Sequence, residues 1–251
     1  MSDKDFNRLV EEALAQDFCG WDFSWLSGRW YEEDPPWAYE AIVAQEKESV
    51  NFLLDMGTGG GEFLASLSPL PSHTLATESY APNIPIARAR LEPLGVEVVP
   101  FTEDKALPLA GSQFDLIINR HESYTPTEIE RLLKPGGQFI TQQVGSQDCL
   151  EINDFLNAPY DEDNFSLEKE VKEFQSAGFQ IERAEEALLD SHFYEIGAVV
   201  FFLKIIEWQI PDFSVERYHE RLLALHEHIQ GTGAFRAKAH RFLIQARKLL
   251  D

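Results

Sequence analysis

The apolar residues of this chain change their period along its length, and those changes divide it. Over residues 5–17, Phe6, Leu9, Val10 and Leu14 recur at helical spacing and predict an amphipathic helix. Residues 18–37 lose that period. Phe18, Trp21, Phe23, Trp25, Trp30, Tyr31 and Trp37 are scattered there among Gly20, Gly28 and the Pro35–Pro36 pair. A second helix is predicted over 39–47. Beyond it, short apolar runs alternate with helical segments. Strands are predicted at 50–55, 73–78, 96–101, 114–119 and 138–144, with helices at 61–67, 82–94 and 127–133 between them. Strand, helix, strand at this spacing implies an α/β fold, a parallel sheet with crossover helices on both faces. The remainder is less regular. It reads as a helix over 166–177 ended by Gly178, a sixth strand at 179–184, a helix over 215–229 and a last strand at 234–246. We place the organisational boundary after residue 48, with an N-terminal helical and aromatic cap over 1–48 and the α/β domain over 49–251.

Composition narrows the partners. A hydrophobic share of 44% across 251 residues suffices for a real core. A net charge of −22 repels phosphate backbones and weighs against a nucleic-acid partner. Two cysteines, Cys19 and Cys149, form no CxxC and no disulfide framework, which predicts a cytoplasmic protein with buried thiols. The opening MSDKDFNRLVEEAL is charged and unlike a signal peptide. The most apolar run, Ile196 to Leu203, meets Lys204 well short of the roughly 20 residues a membrane span needs. The overlapping run VVFFLKIIEW, residues 199–208, reads as a half-buried structural element, and no membrane partner is expected. Residues 194–211 are a second candidate wall of the substrate cleft. The histidines outside the central motifs do not fall at ligand spacing, so no metal site is predicted.

The segment Leu53–Leu64, LLDMGTGGGEFL, carries four glycines in five positions. Such a loop at the end of the first core strand lies where doubly wound sheets bind ligands. A phosphate-cradling P-loop requires a Lys-Ser or Lys-Thr that is missing here. A dinucleotide fingerprint requires glycine at position 62, where Glu62 stands. A carboxylate at that helix start also opposes a pyrophosphate. The pattern present is D-x-G-x-G-x-G, Asp55 to Gly61.

This motif resembles the first cofactor motif of the class I S-adenosylmethionine-dependent methyltransferases, and further matches follow in order over roughly residues 51–144. Glu78 ends the second core strand. Glu103-Asp104-Lys105-Ala106-Leu107-Pro108 is similar to the family's D-x-x-x-L-P segment, Phe114–Asn119 to its FDLI strand, and Leu132–Gly137 to its LLKPGG turn. The resemblance implies a Rossmann-like, seven-stranded, mostly parallel sheet whose last strand is antiparallel. It also implies S-adenosylmethionine as cofactor, with Asp55, Gly57, Thr58, Gly59 and Gly61 at its amino-acid end. Glu78 and Ser79 are expected at the ribose, Glu103 or Asp104 at the adenine, and Asn119 and Arg120 in the cleft wall. A cofactor bearing a sulfonium and an ammonium, and no phosphate, suits the surrounding carboxylates.

Methyl transfer needs alignment, dryness and, where the acceptor carries a proton, a base. His121 and Glu122, just past the fourth core strand, are the candidates; His121 titrates nearest neutrality. Arg29, Trp30 and Tyr31 are expected to contact substrate from a lid formed by the aromatic segment. The predicted activity is methyl transfer to a small molecule. The alternatives are an RNA methyltransferase, disfavoured by charge and by the absence of a four-cysteine module, and a non-catalytic S-adenosylmethionine-binding protein. A nicotinamide oxidoreductase is disfavoured by Glu62.

Overall fold

A computed structural model describes residues 2–18, 23–103, 105–160 and 165–250. The chain opens with helix α1 (Ser2–Leu14), the short strand β1 (Trp30–Glu32) and helix α2 (Tyr39–Glu46). The alternating core follows as β2 (Phe52–Met56), α3 (Glu62–Ser66), β3 (His73–Glu78), α4 (Asn83–Leu91), β4 (Glu97–Pro100), β5 (Phe114–Arg120), α5 (Pro126–Leu132) and β6 (Leu133–Val144). The chain then runs through α6 (Leu150–Leu156), α7 (Leu167–Ser176), β7 (Phe179–Phe193), α8 (Ile196–Ile205), α9 (Val215–Thr232) and β8 (Phe235–Lys248).

One sheet of eight strands holds the molecule, in the order β1-β7-β8-β6-β5-β2-β3-β4. The five strands β2 to β6 are mutually parallel. The last strand, β8, lies antiparallel between β6 and β7. The eighth strand arises because Trp30, Tyr31 and Glu32 leave the aromatic segment and pair antiparallel with Phe193, His192 and Ser191. Parallel strands covered on both faces read as apolar runs, and Leu53, Leu54 and Met56 of β2 are fully buried. One face packs Leu53, Leu64, Leu91 and Leu116. The other packs Leu54, Phe114, Phe139, Phe174 and Phe242.

The seven strands expected are therefore eight, and β7 departs from the sequence expectation in length. β7 was expected over 179–184 and runs to Phe193. Its charged stretch hides an alternation in which every second side chain faces outward. The outward carboxylates Glu182 and Asp190 are paired, with Arg247 and Lys238. The run read as a half-buried element over 199–208 lies mostly in helix α8, whose residues Ile196 to Leu203 are buried, while Glu207 and Trp208 beyond it are exposed.

The length of β7 and β8 builds a second storey. β6 ends where Val144 faces Arg241, and Arg241 faces Ala187 on the other side. β7 continues six residues past that level, Leu188 to Phe193, or about 20 Å at the usual rise per residue. Around this projection a third apolar core gathers Phe6 and Leu9 of α1, Ile152 of α6, Val199 and Phe201 of α8, and Leu222 and Leu225 of α9.

Arg241 closes the junction between the two storeys. Its guanidinium donates to both carboxylate oxygens of Glu32 at 2.8 and 2.7 Å and to Asp148 at 2.5 Å. Asp148, in the loop after β6, also accepts the backbone N–H of His240 at 2.9 Å. Removing the cation would leave the buried Asp148 and the partly buried Glu32 without a counter-charge, and breaking a buried ion pair in this way typically costs about 3–5 kcal/mol. Arg241→Met should therefore lower the unfolding free energy by about that amount in urea titration followed by tryptophan fluorescence. A loss below about 0.5 kcal/mol would mean that the junction is held otherwise.

Candidate active site

The glycine loop leaves β2 between β3 and β5, at the point where the strand order reverses. Gly57 and Gly61 have φ of +74° and +81°, a region closed to most side chains. At Gly57 the constraint is also steric. A Cβ there would lie 2.3 Å from Cγ of Glu122, and one at Gly61 would meet Leu91. The loop is pinned from below: the Thr58 N–H donates to the Thr77 carbonyl at 2.9 Å and the Gly57 N–H to Oγ1 of Thr77 at 3.3 Å.

Asp55 is 5% exposed, and it accepts the Thr58 hydroxyl at 2.7 Å. Burial raises its pKa from 3.8 to about 6, the Thr58 bond pulls it down, and the charge of Glu78 pushes it up again. Glu78 is also buried and its pKa is likewise raised by burial, against the N–H groups of Tyr80 and Gly59. The Tyr80 N–H reaches it at 2.7 Å. Nearby, the fully buried carboxamide of Asn83 acts on Glu78 without completing a hydrogen bond, and both its polar atoms lack a partner among the described residues. Nδ2 of Asn119, at the end of β5, is buried and without a partner in the same way. Its Oδ1 is fully used by the Thr141 hydroxyl at 2.8 Å and the Gln143 amide at 2.5 Å.

In front of these residues lies a cleft of about 410 Å³, lined by Ser79, Phe101, Thr102, Glu103, Lys105, Glu122 and Ser123. It brings Ser79, Glu103 and Glu122 together beside the glycine loop. Asp104 lies outside the described residues. The LP segment behind Glu103 is anchored by Glu128, which accepts the Leu107 N–H at 2.8 Å and a bidentate bond from Arg131. Arg120 is exposed and lies over the Phe63 ring at 5.7 Å.

His121 is not among the cleft-lining residues. It turns toward β6, with φ of +61° and its N–H donating to the Gln142 carbonyl at 2.9 Å. More than a third of the residue stays open to solvent. Loss of hydration within the crowded rim, then the charges of Arg241 and Arg120, lower the imidazole pKa, which favours the neutral ring. Arg29, Trp30 and Tyr31 stand in the upper storey. Arg29 pairs with Glu195 and lies 4.5 Å from the Trp25 ring. The Trp30 indole donates to Ser191 at 2.8 Å, and Tyr31 is 47% exposed beside His192. Three strands separate them from β5.

Two aromatic residues that sequence reasoning did not select reach the site from the N-terminal segment. The Trp37 indole donates to Oε1 of Gln142 at 2.8 Å, and the Tyr39 hydroxyl donates to the Asn119 carbonyl at 2.8 Å. The FDLI and LLKPGG motifs, by contrast, meet each other: Lys134 donates to Asp115 at 2.6 Å, and Asp115 accepts the N–H groups of Asn51 and Phe52. They fasten β2, β5 and β6 at the sheet end away from the cleft.

Residues 54–141 match the family model described as a methyltransferase domain. A ubiquinone biosynthesis O-methyltransferase of Dinoroseobacter shibae is 33% identical over 97 residues, 35% of this chain and 39% of that protein. One of Roseobacter denitrificans is 31% identical over 93 residues, 34% of this chain and 38% of that protein. The matched segment thus spans about two-fifths of these relatives. Among solved structures, a presumed methyltransferase of Bacillus halodurans C-125 superimposes with a TM-score of 0.60 at 18% identity, covering 84% of this chain and 98% of its own. The [4+2]-cyclase SpnF follows at 0.56 and 15%, covering 98% and 95%. A geranyl diphosphate methyltransferase, solved with geranyl diphosphate and sinefungin, gives 0.51 at 13%, covering 84% and 77%. Residues 54–141, at β2 to β6, thus carry a methyltransferase domain. No helix among the described residues is long and apolar enough to cross a membrane.

The raised pKa of Asp55 carries a sign. Between 3.8 and about 6 the folded chain holds a proton that the unfolded chain has released, so stability falls as pH rises through that window. Asp55→Asn should flatten this slope and gain about 2–3 kcal/mol over the parent at pH 7 relative to pH 4, read by urea unfolding across pH. Parallel pH profiles of the two proteins would contradict a proton-holding Asp55.

Proposed function

We propose that this protein transfers the methyl group of S-adenosylmethionine to a small-molecule acceptor. The observation that supports this most strongly is the pair of buried carboxylates, Asp55 and Glu78, flanking a glycine loop whose neighbouring cation, Arg90, is taken up by the Gly60 carbonyl and Glu62. Two charges that repel each other and resist ionisation gain from a cationic, hydroxyl-rich ligand. The orphaned amides of Asn83 and Asn119 fit the same ligand, because each buried polar atom requires a partner.

In this reading Asp55, Gly57, Thr58, Gly59 and Gly61 hold the amino-acid end of the cofactor. Glu78 and Ser79 accept and donate at the ribose, Glu103, with Asp104 beside it, meets the adenine, and Asn119 and Arg120 close the wall. The cofactor, when bound, supplies an electrophilic methyl on a sulfonium. The chain's own residues orient the acceptor, exclude water and take up the proton it loses. Glu122, which lies against Gly57, and its sequence neighbour His121 are the candidates for handling that proton. Arg29, Trp30 and Tyr31 form the proposed distal wall, on the storey that stands past the carboxyl ends of the strands. The O-methyltransferase relatives support an oxygen acceptor, and the net charge of −22 disfavours RNA.

Incubation with methyl-labelled S-adenosylmethionine and a fractionated cell extract tests the proposal. Label should enter the small-molecule fraction, and Asp55→Ala should cut the rate by about 10- to 100-fold, as expected for a lost bond to a charged group. Label confined to RNA or protein, or no transfer at all, would overturn it.

A further inference from the structure

The side chains of Trp37, Gln142 and His121 form a chain of hydrogen bonds whose direction is determined at one end. An indole N–H can only donate, so Oε1 of Gln142 must be the atom facing Trp37, at 2.8 Å. The amide NH₂ of Gln142 then faces Nε2 of His121 at 3.3 Å. A carboxamide NH₂ only donates, so Nε2 has to accept, and a neutral imidazole that accepts at Nε2 carries its proton on Nδ1. Rotating the Gln142 amide would set N–H against N–H at Trp37. Protonating His121 at Nε2 would do the same at Gln142.

The surroundings agree with that wiring. His121 is held in the left-handed region by its own N–H bond to Gln142, so one residue sets both its backbone and its ring. The charged groups facing the ring are Arg120 on β5 and Arg241 on β8, and both oppose a cationic imidazole. Trp37 is buried beneath the apolar face shared by α2 and the sheet, which keeps the donor end of the chain fixed.

We propose that Trp37 and Gln142 are positioning residues that lock His121 as an Nδ1–H donor with its Nε2 lone pair engaged. Resting on the methyl-transfer reading, the consequence is a division of labour. His121 is left able only to donate, while Glu122, lining the cleft against Gly57, accepts the proton that the acceptor loses. His121 is then not the general base.

The tautomer is measurable on the full chain without substrate, so its failure is separate from any failure of the methyltransferase reading. Proton–nitrogen correlation spectra of the ¹⁵N-histidine-labelled protein, with His121→Gln identifying the signals, report each ring nitrogen. At pH 7 Nδ1 should be protonated and Nε2 bare. Gln142→Glu replaces the donor by an acceptor; it should move the proton to Nε2 and raise the His121 titration midpoint by about one unit or more. Trp37→Phe frees the Gln142 amide to turn, and both tautomers should then be seen. A wild-type His121 protonated at Nε2, or a tautomer unmoved in both variants, would overturn the proposal.

Discussion

One guanidinium joins the two halves of this molecule. Arg241 lies at the level where β6 ends and the β7–β8 ladder continues alone. At that level the sheet loses a neighbour and the backbone must be sealed by side chains. Arg241 does so by binding Glu32 from the N-terminal strand and Asp148 from the loop after β6. The triad carries one net negative charge in a buried place. Burial accordingly raises the pKa of Glu32 although Arg241 draws it down. The upper storey, the position of β1 and the descent of the chain from Glu32 to Trp37 all depend on this clasp. Through that descent, so does the reach of Trp37 to the site.

Below the clasp, the cleft's chemistry follows from charge. The loop turns on glycines at positive φ, as phosphate sites do, yet the buried side chains flanking it, Asp55 and Glu78, are acids, and Arg90 is engaged by the Gly60 carbonyl and Glu62. That combination separates a sulfonium-type ligand from a dinucleotide on physical grounds. Fold alone would not, since a [4+2]-cyclase shares this architecture across nearly the whole chain. The carboxylates, the orphaned amides and the packing of Glu122 on Gly57 carry the functional reading, and the strand order only says where to look.

Much of the parallel core was legible from the sequence because its strands are short apolar runs bounded by glycine, proline or charge. β3 begins and ends at the expected residues, and β2 and β5 are shifted by at most two. β7 was read too short because outward-facing carboxylates interrupt hydropathy without interrupting a ladder. The glycine loop, Glu78 and Glu103 stand together as local motifs allow. Trp37, Tyr39, Gln142 and Gln143 were not legible. Their roles arise from contacts across 21 to 105 positions of sequence, and nothing local marks a glutamine whose amide must point one way. His121 shows the same limit: its type suggested a base, and its partners point to a donor.

Calorimetric titration of the purified chain with S-adenosylhomocysteine and, separately, with NADH tests the central claim most directly. The account predicts saturable binding of S-adenosylhomocysteine, weakened by about tenfold or more in Asp55→Ala, and no binding of NADH. Binding of NADH with none of S-adenosylhomocysteine would contradict it.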